Sequence, residues 1–297
     1  MGAKALGVLC VLIMVTAGFV GCIPVSANSD YESETVNFTG PGLWTYTVYS
    51  CSKGGNNAGL HVQDVKYDNH YYLHHGYQTG IRYRTTSGGP WNSISLDKFT
   101  CTAQWTNSST QHQLINWWDN DNFDGLGDYM EYTVSIVFYD DAELYTMMVY
   151  HSIKVIGNVN NLWGFQVFWK LDWDIIDPGS DYIDHKNSLG AWTQINSEQQ
   201  INAKFQASEG VRYRQSTSGY YSAYATYSDV GYSSNVNSVY WGAFRSPYSD
   251  PYNWLANMDP PESVVNTNIV GGFYMDKTTQ LVSNTIYWSN VYYHVTP

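Results

Sequence analysis

The sequence predicts an all-β protein, and three observations support this prediction. Several stretches alternate bulky apolar residues with other residues at the period of two that is typical of strands. Aromatic residues, which favour strands, make up 16% of the 297 residues. No segment carries a long apolar stripe of helical period with capping residues at its ends. These features favour short strands that are joined by turns.

The predicted strands follow one another from the first third of the chain to its C-terminus. They are Leu43–Cys51, Leu60–Tyr67, Gly80–Ser87, Tyr129–Tyr139, Leu144–Ile156, Trp163–Trp173, Val264–Tyr274 and Leu281–Val295. Tyr129–Tyr139 and Leu144–Ile156 flank a turn at Asp140-Asp141 and are expected to form a hairpin. Residues 220–261 are rich in Tyr, Ser, Asn and Pro, which predicts long loops and short strands. Since no clean linker interrupts residues 41–297, we expect them to form a single domain.

The strand Trp163–Trp173 is the most informative of these elements. One face carries only bulky apolar residues, namely Phe165, Val167, Trp169, Leu171 and Trp173. The opposite face mixes polar residues with Phe168, so neither face is purely polar. This pattern predicts a strand that is covered, at least in part, on both sides.

Two carboxylates, Asp172 and Asp174, share one face at the end of this strand, before a turn at Asp177-Pro178-Gly179. Paired carboxylates cost stability unless a cation or hydrogen-bond donors meet them. Calcium, which binds side-chain and backbone oxygens, is one interpretation. A solvated strand end is the other, because Asp is common next to turns.

A second candidate calcium site precedes the strand Tyr129–Tyr139. Its residues match positions 1, 3, 5, 6, 9 and 12 of an EF-hand-type loop, and they are Asn120, Asn122, Asp124, Gly125, Asp128 and Glu131. Asn at the first position removes an anionic ligand, and no predicted helices flank the loop. A polar surface loop therefore remains the alternative to a cation site.

The N-terminus has the pattern of a secretory signal. Lys4 precedes an apolar run of about 16 residues, which is short for a membrane span. We expect residues 1–27 to be a signal peptide that is cleaved near Ala27 and residues 28–40 to be a linker. The alternative is processing as a lipoprotein, with lipidation at Cys22. The mature protein is accordingly expected to be secreted or located at the cell surface, with no membrane span.

The remaining cysteines agree with export. Cys51 and Cys101 are an even pair, for which an oxidising compartment predicts a disulfide, with two free buried thiols as the alternative. Asn37 and Asn107 begin N-glycosylation sequons, which are short patterns that also arise by chance.

Charge and composition limit the classes of partner. The formal net charge is −12, and no Lys/Arg cluster occurs along the sequence, which argues against nucleic acid. The 27 Tyr and 12 Trp residues suit both sugar-stacking surfaces and extracellular assemblies. One internal echo also occurs, because Gly80–Arg84 recurs as Gly210–Arg214. This echo is either a duplicated hairpin or a chance similarity between Tyr/Arg strands.

Four stretches give the sequence a family resemblance. They are Trp44–Asp68, Tyr132–Leu144, Phe168–Ile175 and Ile286–Pro297, and the second reads YTVSIVFYDDAEL while the third reads FWKLDWDI. Taken in this order, they resemble the C-terminal catalytic domain of copper amine oxidases, over most of the mature chain. The resemblance implies a large antiparallel β-sandwich, the copper amine oxidase-like supersandwich, in a trimmed version.

The resemblance also implies site positions, and most of them lack the required residue. The two early copper histidines of the family fall on Trp163 and Phe165, which cannot provide the imidazole nitrogen that copper prefers. His294 falls on the third copper position, although a histidine on a C-terminal strand is more often a structural residue.

The position of the quinone-forming tyrosine falls on Met130, with Tyr129 one residue away and without the preceding Thr and Asn of the family motif. Asp97 is the nearest candidate for the general base. Asp172 and Asp174, with the carbonyl of Trp173 between them, match the structural cation site of the family. The resemblance therefore implies the fold and possible calcium, whereas copper and topaquinone are not expected.

These observations lead to three hypotheses about function. The leading one is an exported, non-catalytic structural protein of the cell surface or extracellular space, such as a subunit of an envelope layer or sheath. Its expected partners are further copies of itself or a cell-surface polymer. The first alternative is a divergent copper-dependent amine oxidase that combines His294 with other ligands. The second is a carbohydrate-binding module that uses surface tryptophans such as Trp241 or Trp254.

Overall fold

The computed structural model describes fifteen stretches of the chain: residues 23–25, 32–37, 44–52, 59–74, 77–94, 100–107, 111–119, 130–140, 145–155, 162–176, 181–195, 199–202, 208–215, 221–245 and 269–296. In these stretches the structure contains strands and a short 3₁₀ turn at Tyr227–Asp229, and it contains no α-helix. The prediction of an all-β fold is confirmed.

The strands are β1 (Ile23–Val25), β2 (Glu32–Asn37), β3 (Trp44–Ser52), β4 (Gly59–Tyr67), β5 (His70–His74), β6 (Tyr77–Arg84), β7 (Asn92–Ile94), β8 (Thr100–Asn107), β9 (Gln111–Asp119), β10 (Met130–Asp140), β11 (Tyr145–Val155), β12 (Gly164–Asp172), β13 (Asp181–Lys186), β14 (Trp192–Gln194), β15 (Gln199–Asn202), β16 (Gly210–Gln215), β17 (Ser222–Thr226), β18 (Val230–Tyr232), β19 (Ser238–Arg245), β20 (Ile269–Lys277) and β21 (Ile286–Thr296).

Two large antiparallel sheets contain most of these strands. The first, called the large sheet, has eleven strands in the order β1-β8-β9-β10-β11-β21-β17-β16-β13-β14, and β18 also pairs with β21. The six-stranded sheet has the order β15-β19-β20-β12-β6-β7. A four-stranded sheet, β2-β3-β4-β5, completes the described strands. Because β10, β11 and β21 are neighbours, residues that are more than 130 positions apart in sequence share one sheet face.

The large sheet and the six-stranded sheet pack face to face around one hydrophobic core. The core draws on alternate residues of β10, β11 and β21 on one side and of β6 and β12 on the other. Aromatic contacts cross the interface, such as Phe165 of β12 with Tyr287 of β21, whose ring centroids are 5.3 Å apart. The fold is therefore a β-sandwich, as the sequence predicts, with each inward face built by the period-two pattern.

Strand β12 confirms the predicted burial on both of its faces. Phe165, Val167, Trp169 and Leu171 are all buried in the core. Phe168, on the opposite face, is buried as well, and its ring lies over Gly80 of β6. A Cβ atom at Gly80 would collide with this ring, so the glycine allows the close approach.

Some expected boundaries differ from the structure. Glu32–Asn37, within the expected linker, forms β2 and pairs with β3 along its whole length. Only Thr35 and Val36 in this segment have a high strand propensity, so the pairing with the longer β3 and not the local sequence defines this edge strand. Residues 281–285 form a turn, and the last strand begins at Ile286. The hairpin of β10 and β11 is present in continuous register, from Met130 opposite Val155 to Asp140 opposite Tyr145.

The chain after β12 turns towards β5. The Asp174 N–H donates to the Tyr72 carbonyl at 3.2 Å, and the Ile176 N–H donates to the Tyr71 carbonyl at 2.7 Å. Ile176 has a φ of +74°, a left-handed conformation that β-branched residues rarely adopt. These hydrogen bonds fix the segment from Trp173 to Ile176 against the neighbouring strand.

No helix in the described stretches has the length and hydropathy that a membrane crossing requires. The expected signal peptide, with its alternative processing sites at Cys22 and Ala27, lies outside the described residues, apart from the short strand β1.

Candidate functional site

The positions that the resemblance assigns to the quinone and to the early copper ligands lie at one end of the sandwich. Met130 begins β10 and is buried opposite Val155 of β11. The Val155 N–H donates to the Thr285 carbonyl, and the Val155 carbonyl accepts from the Asn284 N–H, just before β21 begins. Phe165 is fully buried and packs edge-on against Tyr287. Trp163, two residues earlier, is half-buried. This end of the core is therefore filled with thioether, benzyl and phenol groups.

The interior next to this end holds a tyrosine–histidine pair that sequence reasoning missed. The Tyr132 hydroxyl and His151 Nδ1 form a hydrogen bond of 2.6 Å, and both side chains are buried. The His151 ring stacks on Trp169 of the opposite sheet, with centroids 4.0 Å apart. Burial holds the pKa of His151 well below its ordinary value, so the imidazole is neutral at physiological pH. It is the one fully buried histidine among the described side chains.

His294 lies at the other end of β21 and on its outward face. Its Nε2 is 3.1 Å from Asp229 Oδ1, and its Nδ1 is 3.5 Å from Thr146 Oγ1. The ring also packs against Tyr224, with centroids 5.1 Å apart. Burial favours the neutral form of Asp229, but hydrogen bonds from His294 and Thr226 outweigh this effect and lower its pKa. Both nitrogens of this histidine thus have protein partners.

The implied copper positions do not converge on one point. Tyr287, which contacts Phe165, and His294 are seven residues apart in one strand, or roughly 23 Å at the rise of a β-strand. An odd separation also places their side chains on opposite faces of the sheet. Within the described residues, no group of three or more His, Cys, Asp or Glu side chains is arranged to hold a metal ion. The residues at the implied positions therefore do not fit a copper centre.

The predicted cation site at the end of β12 is described only in part. Asp172 is the last residue of the strand, and its side chain lies outside the described atoms. Trp173 is fully buried, and its ring stacks on Tyr213 at 5.4 Å. The Asp174 carboxylate is buried at 2% exposure, where a carboxylate requires donors or a cation. Calcium binding by Asp172, Asp174 and the Trp173 carbonyl remains a prediction.

The second predicted calcium site falls almost entirely outside the described residues. This holds for Asn120, Asn122, Asp124 and Asp128, as well as for the catalytic candidates Asp97 and Tyr129. Glu131 lies in β10, and its carboxylate is 3.3 Å from the Lys154 ammonium of β11. The loop remains a prediction.

The residues of the predicted disulfide and of the predicted glycosylation sites lie on strands, and their side chains are outside the described part of the structure. Cys51 lies in β3 and Cys101 in β8. These two strands belong to different sheets and contact each other. Asn37 and Asn107 are the last residues of β2 and β8. The disulfide and the glycosylation remain predictions.

Trp241 was expected at the surface, and this expectation is wrong. It is 1% exposed, and its Nε1–H donates to the Tyr213 hydroxyl at 2.5 Å across the core. The reason is that Trp241 stands on the inward face of β19, which the large sheet covers, as its contact with Tyr213 of β16 shows. Trp254 lies outside the described residues.

Asp276 of β20 is a titratable group that the sequence did not reveal. It is 8% exposed, and its Oδ1 has no hydrogen-bond partner in the described part of the chain. Burial raises the pKa of Asp276 from 3.8 to about 6, although Gln166, Arg84 and Arg82 act in the opposite direction. The folded protein therefore holds this proton more tightly than the unfolded chain does.

Replacement of Asp276 by asparagine is expected to change how stability depends on pH. The contribution of a carboxyl group with a raised pKa is complete below its unfolded value of 3.8 and is lost as the pH rises through about 6. The variant avoids this loss, so its free energy of unfolding should exceed that of the wild type by about 2–3 kcal/mol near pH ~8 and by little near pH ~4. Urea denaturation at both pH values measures the difference. An equal difference at both pH values would contradict this account.

The comparisons with known proteins place the fold. No protein-family model and no curated protein matches the chain. A copper-containing benzylamine oxidase from Hansenula polymorpha has a TM-score of 0.58 at 7% identity, over 91% of this chain and 60% of that chain. The lysyl oxidase of Pichia pastoris has a TM-score of 0.53 at 9% identity, over 86% and 50%. A galactose mutarotase related enzyme from Lactobacillus acidophilus has a TM-score of 0.49 at 7% identity, over 90% of this chain and 98% of that chain.

This chain spans about half to three fifths of the length of the two oxidases. At identities this low, the structural similarity supports the fold and gives no information about the activity. The chain has a copper amine oxidase-like β-sandwich fold, without the histidine and tyrosine pattern through which the resemblance would extend to copper and quinone.

Proposed function

We propose that this protein is an exported, non-catalytic structural protein of the cell surface or extracellular space, built on an amine oxidase-like scaffold. One observation carries the proposal. The core that would have to hold a metal centre is packed with the side chains of Phe165, Trp169 and Tyr287, while His294 is bound to Asp229 on the outside. A scaffold with core aromatics in place of metal ligands is still a stable fold with large outer surfaces. A structural subunit needs this stability and these contact surfaces.

The sequence supports the remainder of the proposal. The N-terminal signal pattern and the even pair of cysteines, Cys51 and Cys101, are typical of export. The low charge content of 13% and the many Tyr and Trp residues suit assembly through large contact areas. Calcium at Asp172 and Asp174 would connect assembly to the ionic composition outside the cell, where this cation is abundant.

Light scattering of the purified mature protein, across millimolar calcium, tests the structural role. The proposal predicts particles much larger than a monomer, with regular layers or filaments in electron micrographs. A monodisperse monomer at every calcium concentration would contradict it. Cys51→Ser/Cys101→Ser protein serves as a second sample that separates assembly from disulfide exchange between chains.

Calcium binding at the end of β12 gives a separate prediction. Replacing Asp174 by asparagine removes an anionic ligand but keeps the size of the side chain, so calcium affinity should fall at least about tenfold. Asp68→Asn is the matched control, because Asp68 is exposed in the β4–β5 turn at a φ of 47° that asparagine tolerates equally well. Isothermal titration measures both variants. Wild-type protein that releases no heat and shows no change in Tm with calcium would refute the site.

A further inference from the structure

The outer faces of the two packed sheets carry two similar clusters of arginine and aromatic side chains. The first, called the first platform, consists of Tyr182, Asp184, Trp192, Arg212 and Arg214, with Lys186 at its side. It lies on β13, β14 and β16 of the large sheet. The second platform consists of Arg82, Arg84, Trp91, Gln166 and Asp276, and it lies on or beside β6, β12 and β20.

One buried carboxylate fixes both guanidinium groups of the first platform. Asp184 is 2% exposed, and it accepts hydrogen bonds from Arg212 at 2.9 and 2.6 Å and from Arg214 at 2.7 and 3.1 Å. These bonds use Nε and one terminal nitrogen of each arginine, and among the described residues the other terminal nitrogen of each keeps its N–H donors. The arginine side chains are 26% and 19% exposed. The cations are thus held rigidly and are still accessible.

Aromatic rings flank these cations. The Arg212 guanidinium lies 4.6 Å from the centroid of the Trp192 ring, and the Lys186 ammonium lies 5.8 Å from the same ring. The Arg214 guanidinium lies 4.9 Å from the Tyr182 ring. Two guanidinium groups share one carboxylate here, which leaves an excess of positive charge on a protein whose formal net charge is −12. Such a local excess attracts an anion.

The second platform has a similar composition, but its arginines are held by Gln166 and by the carbonyls of Trp163 and Thr278 instead of by a shared carboxylate. Arg82 and Arg84 lie 5.1 and 5.0 Å from the centroid of the Trp91 ring, and Arg82 also donates to Gln166 Oε1 at 2.5 Å. Asp276 lies next to Gln166 in register and is the buried carboxylate of this cluster. Again, two guanidinium groups accompany one carboxylate beside a tryptophan.

The sequence echo explains why the platforms match. In Gly80–Arg84 and in Gly210–Arg214, the second and fourth residues are buried and the arginines alternate to the outside. Tyr213 of the large sheet contacts Trp241 of the six-stranded sheet through the core. The arginines therefore stand on opposite outer faces of the sandwich, one pair on each sheet.

We propose that the two platforms bind carboxylate-bearing polysaccharide, and that one protein molecule can cross-link two such chains. The terminal N–H groups of Arg212 and Arg214 that do not contact Asp184 can each donate a charge-assisted hydrogen bond to a carboxylate oxygen, which explains the anionic part of the ligand. The rings of Trp and Tyr offer apolar surface with a polar tip, which suits the faces of sugar rings. Since the buried carboxylate already orders the first platform, binding costs little side-chain entropy. The inference is independent of assembly and of catalysis.

Electrophoresis through gels that contain polygalacturonate tests the binding. Trp192→Ala and Trp91→Ala each remove the ring of one platform without leaving a buried charge. Each single variant should still be retarded but should no longer cross-link the polymer, and the double variant should bind at least about tenfold more weakly than the wild type. Leu189→Ser is the control, because Leu189 is 90% exposed in the neighbouring β13–β14 turn. Turbidity of mixed solutions reports the cross-linking.

Three comparisons decide the identity of the ligand. Dextran, a neutral polymer, should cause no retardation, and added salt should weaken binding to polygalacturonate. Retardation by polyglutamate equal to that by polygalacturonate would overturn the assignment to carbohydrate. A double variant that binds like the wild type, while circular dichroism shows both to be folded, would overturn the platforms themselves.

Discussion

Replacing Trp173 by alanine is expected to lower the free energy of unfolding by about 3–5 kcal/mol. The indole is 1% exposed, stacks on Tyr213 at 5.4 Å and lies against Tyr293 with centroids 5.3 Å apart. Its removal leaves a cavity among large rings, which cannot collapse to fill the space because each is held by its own strand. Urea denaturation followed by circular dichroism measures the loss.

The control for this prediction is Trp192→Ala. Trp192 is half-buried in the short edge strand β14, so its loss should cost clearly less than that of Trp173. Comparable losses for both variants would show that Trp173 does not have the central packing role assigned to it.

Asp184→Asn is expected to cost about 3–5 kcal/mol as well, for an electrostatic reason. The variant leaves Arg212 and Arg214, at 26% and 19% exposure, around a neutral amide that can accept from them only weakly. Breaking a buried ion pair by removing one partner is costly, because the remaining charges keep their desolvation penalty. Chemical denaturation at neutral pH measures this effect.

Glu131→Gln is the matched control for Asp184. Its carboxylate is also paired across strands, with Lys154 at 3.3 Å, but the two side chains are 30% and 46% exposed. Exposed pairs contribute less than about 1 kcal/mol, so this variant should be nearly neutral. If Asp184→Asn were equally neutral, the carboxylate would not be what holds the two arginines in place.

The sequence predicts the parts of this fold that depend on local pattern. Period-two alternation locates β10, β11 and β12, and it correctly assigns Phe165, Val167 and Trp169 to the core. It also indicates that Phe168 is covered on the other face, because a wholly solvated face would not carry a benzyl group. These predictions succeed because strand faces follow directly from residue spacing.

The sequence does not predict which strands become neighbours, and the site chemistry depends on that. His294 meets Asp229 from 65 positions away, and Asp184 meets Arg212 from 28 positions away. For the same reason, the arginine platforms escape a search for charge clusters along the chain. Trp241 was misjudged because a Tyr-, Ser- and Asn-rich segment suggests a surface, whereas its side chain faces the opposite sheet across the core.

Determination of copper in the purified protein, before and after incubation with excess Cu²⁺ and dialysis, tests the central claim most directly. The account predicts far less than one copper per chain, and no peroxide released from a primary amine, because Trp163 and Phe165 stand at the implied ligand positions while His294 faces outward. One tightly held copper per chain, with peroxide formation that is lost on replacing His294 or His151, would contradict it.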